Sequence, residues 1–146
     1  MKSEKSNSHL AALRGVYLFG AVGDGLIAIE WYLISLGLVN LPVHPSFFFG
    51  EGPSFRYALS LGAMFMMGWA VLLYWGSRSP IERRGLLLIT GIFLLLAIIS
   101  DYVVFGSMFT LGQTLLGAAV KLLLAALFIA SFMYSARFRK SSTASH

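Results

Sequence analysis

"LFGAVGDGLIAIEWYLISLG", residues 18–37, decides the fold class. The run is apolar enough to cross a bilayer, yet it carries two carboxylates, Asp24 and Glu30. A helix needs about 20 mostly apolar residues to cross roughly 30 Å of hydrocarbon. Four stretches of the chain meet that requirement, at about 10–39, 55–75, 85–105 and 111–134. The breaks between them are chemically clear. "NLPVHPSFFFGEGPS" (40–54) holds three prolines and two glycines, which punctuate a helix. "GSRSPIERRG" (76–85) is a charged turn in which Pro80 suits a first helical turn. "GSMFTLG" (106–112) is a short, uncharged hairpin connection.

Composition agrees with four spans. The 146 residues are enough for one domain. Their 58% hydrophobic content and mean hydropathy of +0.78 lie outside the soluble globular range. Charged residues make up 12%, about half the usual share. Because the apolar residues come in blocks and not in stripes, an integral membrane protein is expected. The chain has no cysteine, which excludes disulfides, thiolate metal sites, iron–sulfur clusters and cysteine nucleophiles. Its net charge of +5 borders the spans, so it sets topology and meets anionic lipid; no nucleic-acid partner is expected. No phosphate loop, HExxH, GxSxG or haem-type histidine pair occurs, and no cofactor or metal is expected.

The basic residues fix an orientation. Lys2, Lys5, Arg14, Arg78, Arg83, Arg84, Arg137, Arg139 and Lys140 fall on one side of a four-span layout, and Arg56 alone marks the other. By the positive-inside rule both termini and the 76–85 turn are cytoplasmic, with 40–54 and 106–112 outside. Arg14 interrupts the apolar run near the N-terminus, which argues against a cleaved signal peptide. The sequence thus predicts an all-α protein, an antiparallel four-helix transmembrane bundle with residues 10–138 as its membrane domain. The tails, 1–9 and 139–146, are polar, Ser-rich and expected to be disordered. The expected location is the cell (inner) membrane.

Four ionisable residues lie inside the spans: Asp24, Glu30, Asp101 and Lys121. Such residues are costly in hydrocarbon and call for a partner. Counting from the nearest basic residue, Glu30, Asp101 and Lys121 all lie about 24–25 Å up their helices, and Asp24 about 15 Å. Helical periodicity puts Lys121 on a stripe with Thr114, Gly117, Ala118, Ala125, Phe128 and Ser135, a small-residue face suited to close packing. Asp101 lines up with Thr90, Leu94, Ala97 and Phe105, and Asp24 with Tyr17, Gly20, Ala21 and Ala28. Glu30 points about 120° away from Asp24, so one partner cannot serve both. The expected cluster pairs Lys121 with Asp101, Glu30 or both, with Arg56 above it. Asp24 is a second buried acid, protonated or bonded to Tyr17, Ser60 or a carbonyl. A purely structural role in fixing helix register stands beside a functional one.

The 40–54 segment reads as an ordered outer cap of His44, Phe47, Phe48, Phe49 and Glu51, either anchored at the headgroups or covering a pocket. Two ligands, His44 and Glu51, are too few for a metal site.

The segment "MGWAVLLYWGSRSPIERRGLLLITG" (67–91) resembles a stretch of small bacterial and archaeal four-helix membrane proteins, and the four-span layout is loosely similar to DoxX-like proteins. The shared motif, Gly-Trp, a second Trp and Pro-x-Glu-Arg-Arg-Gly, is topogenic and implies no active residue. The four-helix EXPERA proteins are similar only in having buried acids in four spans, which transfers no residue role. The functional expectation is a non-enzymatic membrane protein that binds a small amphipathic, lipid-like ligand or a partner subunit, the same chain included, through the polar cluster. The alternatives are a membrane enzyme with Asp101 or Glu30 as acid/base and Lys121 as charge stabiliser, and a dimeric proton-coupled carrier.

Overall fold

The computed structural model describes residues 2–39, 52–104 and 111–143, with side chains described for 9–39, 52–104 and 115–136. All regular elements among them are helices: α1 (Lys2–Ser35), α2 (Pro53–Ser77), α3 (Gly85–Val103) and α4 (Leu111–Thr143). Each contains a stretch long and apolar enough to cross a membrane: His9–Ser35, Pro53–Ser77, Gly85–Val103 and Leu115–Ala136. At about 1.5 Å per residue, even the 19-residue α3 reaches about 28 Å.

The helix ends depart from the expected bounds for local reasons. α1 starts at Lys2, inside the tail expected to be disordered, and α4 continues to Thr143. No proline or glycine interrupts 2–14, and adding residues to an existing helix costs little. At its other end α1 stops at Ser35, short of 39. Gly37 takes φ +74°, its N–H donates to the Ile34 carbonyl at 2.9 Å, and the Leu38 N–H donates to the Leu33 carbonyl at 3.0 Å. That pair of bonds is the Schellman closure, which needs a left-handed residue at the position Gly37 fills. α2 then opens with Pro53 in its first turn, where its missing N–H costs nothing.

The helices pack as two hairpins, α1 along α2 and α3 along α4, with sparse contact between the hairpins among the described residues. In the first, Tyr17 faces Gly76, Gly25 faces Ala70, Trp31 faces Gly62 and Gly37 faces Arg56. In the second, Arg84 lies over Phe132, Gly91 meets Ala125 and Ile129, and Asp101 meets Lys121. One end of the bundle therefore holds the 78–84 turn, here the turn end; the other is the far end.

The hairpins join in the half next to the turn. Tyr17, Leu73, Leu87 and Phe128, one from each helix, form the buried core cluster. Helices approach so closely there that a Cβ on Gly76 would lie 2.5 Å from Tyr17 Cε1. Tyr17 Oη donates to the Arg83 carbonyl at 2.7 Å and ties the core to the turn. The Arg83 guanidinium donates to the Trp75 carbonyl and lies 3.3 Å from the Trp75 ring centre. Between α2 and α3, Trp69 Nε1 donates to Thr90 Oγ1 at 3.2 Å, and the Trp69 ring meets Phe93 edge-on. His9 and Tyr134 are hydrogen-bonded between α1 and α4.

Outside the core cluster, the surface is unlike that of a water-soluble protein. Small and polar residues such as Ala28, Ala63, Ala70, Ala125, Thr90 and Ser135 are buried, whereas Phe65 (78% exposed) and Leu123 (73%) face outward. An apolar solvent suits that outer surface, and small residues allow the close helix contacts inside. No described buried side-chain polar atom lacks a hydrogen-bond partner; Ser77, Thr90 and Ser135 each donate back to a carbonyl of their own helix.

Candidate functional site

Of the expected polar cluster, the pair that forms is Lys121 with Asp101: the ammonium donates to the carboxylate as a salt bridge between α3 and α4. Both residues stand on the faces that carry the core. Lys121 lies one turn beyond Ala125, which is 1% exposed, and in line with the buried Phe128. Asp101 follows buried Thr90 by 11 residues, which returns to the same helical face within about 20°.

The pair nevertheless sits beyond the packed region. No residue of 92–104 or 115–124 is buried, so α3 and α4 leave the four-helix core about halfway along their length. The two side chains are 30% and 29% exposed. Full burial, as the sequence suggests for Asp24, Glu30, Asp101 and Lys121, does not occur in the single chain; all four are half-buried. Contact between the hairpins is sparse among the described residues, which leaves inward faces uncovered.

Asp24 stands one turn beyond Gly20, where α1 crosses Phe128 of α4, and one turn before buried Ala28. Two partners suggested for it by the sequence are engaged elsewhere: Tyr17 donates to the Arg83 carbonyl, and Ser60 Oγ to the Tyr57 carbonyl at 2.8 Å. Glu30 is half-buried on α1.

Arg56 is placed differently from the expected lid over Lys121. It lies in an open groove of about 290 Å³ between α1 and α2 at the far end, with Tyr32, Ser35, Tyr57, Ser60 and Met64 around it. Its guanidinium rests over Gly37, with both terminal nitrogens 3.4 Å from where a Cβ would stand. A second shallow cavity, about 200 Å³, lies at the turn end between Leu10, Arg14 and residues 78–82. Both cavities are lined away from Asp101 and Lys121. The cap residues His44, Phe47, Phe48, Phe49 and Glu51 lie outside the described residues. Among the described residues no group of three potential metal ligands occurs.

Sequence reasoning missed the part played by Tyr17 and Gly37. Tyr17 is fully buried and its ring fills the space left by Gly76, a pairing across two helices that no local pattern announces. Gly37 carried a signal: a glycine after an apolar helix run marks a left-handed closure.

No protein-family model, curated protein or solved structure matches the chain.

Proposed function

We propose that the chain is an integral membrane protein, an antiparallel bundle with both termini cytoplasmic, that works as an assembly module through its outer half. A second copy supplies the helices that cover Asp101 and Lys121. The observation that carries this reading is the salt bridge on inward faces beyond the four-helix core, 30% and 29% exposed. Lipid tails cannot hydrogen-bond those groups, so at this depth a protein surface is the better neighbour. The α4 stripe of Gly117, Ala118 and Lys121 offers small residues beside the charge, which lets another helix approach closely. A two-fold pairing is the simplest closed arrangement available to identical chains. The nine-to-one distribution of basic residues supports the orientation. The helix pairing supports the antiparallel order, since contacts in α2 run from Gly76 back to Arg56 as α1 runs from Tyr17 to Gly37.

The ligand reading draws on one separate observation. Asp24 faces inward near the core with no hydrogen bond or ion pair among the described residues. A small amphipathic amine would satisfy it.

The test compares Lys121→Met with the double variant Asp101→Asn/Lys121→Met. Native mass spectrometry and cross-linking in micelles should show a dimer for the parent chain and a folded monomer for the double variant. The single variant leaves a lone carboxylate, and losing one partner of such a pair costs more than losing both. A double variant that stays dimeric but unfolds more easily would reduce the pair to a register device within the α3–α4 hairpin. A small-molecule adduct that Asp24→Asn abolishes would instead support the ligand reading.

A further inference from the structure

We propose that the far-end groove between α1 and α2 binds the phosphodiester headgroup of an anionic phospholipid from the adjacent leaflet, with Arg56 as the phosphate ligand. The inference rests on the groove alone and not on assembly through Asp101 and Lys121.

The groove presents a cation that no described residue neutralises. Among the described residues, no hydrogen bond or ion pair engages the Arg56 guanidinium, which is exposed and lies flat above Gly37. A Cβ at 37 would stand in van der Waals contact with both guanidinium nitrogens, at 3.4 Å. A guanidinium offers five donors in a planar fork that matches two phosphate oxygens, and it is weakly hydrated enough to work at an interface.

The serines specify what else the ligand must carry. Ser35 Oγ donates to the Tyr32 carbonyl at 2.7 Å, and Ser60 Oγ donates to the Tyr57 carbonyl at 2.8 Å. Each hydroxyl proton is therefore spent inside its own helix, and each oxygen is left to the groove as an acceptor. A headgroup that suits Arg56 and both serines has a phosphate and hydroxyl donors beside it. A glycerol phosphodiester has both; a choline phosphodiester has no donor. Tyr32 and Tyr57 on the rim are residues that favour the headgroup level, and exposed Met64 continues the groove toward the acyl region.

The experiment uses the full chain in uncharged maltoside micelles with three probes: phosphatidylglycerol, phosphatidylcholine and soluble glycerol phosphate. Thermal unfolding and native mass spectrometry are the readouts. Phosphatidylglycerol should raise Tm saturably and remain bound; the other two should do neither. Arg56→Gln should weaken phosphatidylglycerol binding roughly tenfold or more, the loss expected for a charge-assisted hydrogen bond. Arg56→Lys keeps a cation beside the C-terminus of α1, so it should fold with the parent Tm in the absence of lipid. It loses the fork and should bind several-fold more weakly. The folded Asp101→Asn/Lys121→Met double variant should still gain Tm from phosphatidylglycerol and lose that gain when Arg56→Gln is added, which separates this groove from the assembly surface. Equal stabilisation by phosphatidylcholine would overturn the proposal, and stabilisation by glycerol phosphate would assign the groove to a soluble anion instead. Parent-like lipid binding by Arg56→Gln would overturn the assignment and leave Arg56 serving only the α1 helix end.

Discussion

The two halves of the bundle solve different problems with the same helices. Near the 78–84 turn, one residue from each helix closes a core, and the turn itself is bonded to it through Tyr17. Toward the far end the hairpins keep their internal contacts, and among the described residues α3 has no buried residue beyond Gly91 and α4 none before Ala125. The ion pair between α3 and α4, Asp101 with Lys121, lies in the second half. A bilayer gives no hydrophobic reward for helix association, so packing depends on van der Waals fit and polar contacts. The turn half has that fit, in glycine against aromatic ring. The far half has a salt bridge and a groove, which are features of a surface that meets something else.

The largest effect expected from that contrast comes from truncating the core. Leu87→Ala should cost about 2 kcal/mol or more, the low end of the range for buried leucine, because the cavity penalty remains while transfer from water contributes little. Leu96→Ala on the same helix, 51% exposed, should be close to neutral. Both are read by reversible unfolding in mixed micelles. Equal losses at the two positions would mean that the far half is as tightly packed as the turn half. A smaller effect follows from overpacking. Gly76→Ala puts a methyl group 2.5 Å from Tyr17 Cε1 and should cost about 1–3 kcal/mol as the ring shifts. Gly68→Ala on α2, with open space around the added carbon, is the control and should be neutral or slightly stabilising.

The sequence carried the spans because hydropathy is a local property: four apolar blocks with breakers between them need no tertiary information. The Asp101–Lys121 pair was legible too, since depth along the helix and position around it are both set by residue number. Arg56 was not. Its depth is right for the cluster, but depth does not say which pair of helices a side chain enters, and Arg56 enters the α1–α2 groove. The level at which the hairpins meet was equally hidden. It follows from where large rings meet glycines on other helices, as Phe128 meets Gly20, and such encounters leave no periodic trace. Full burial of the acids requires a closed bundle, and the described residues of the single chain close around a core in one half only.

Tyr17→Phe is the smallest of the expected changes and separates the two devices that hold the turn half. The ring is 0% exposed and remains against Gly76 in the variant, so packing is preserved. What disappears is the 2.7 Å bond to the Arg83 carbonyl. A net loss of about 1 kcal/mol is expected, the usual contribution of one neutral hydrogen bond. The Arg83 guanidinium still reaches the Trp75 carbonyl and lies over its ring, which keeps the turn attached to α2. Oligomeric state and lipid response should be unchanged, since neither Asp101, Lys121 nor Arg56 is touched. If Tyr17→Phe instead costs more than Leu87→Ala, the turn half is held by its tether and not by its core, and the contrast between the halves must be redrawn around residues 78–84.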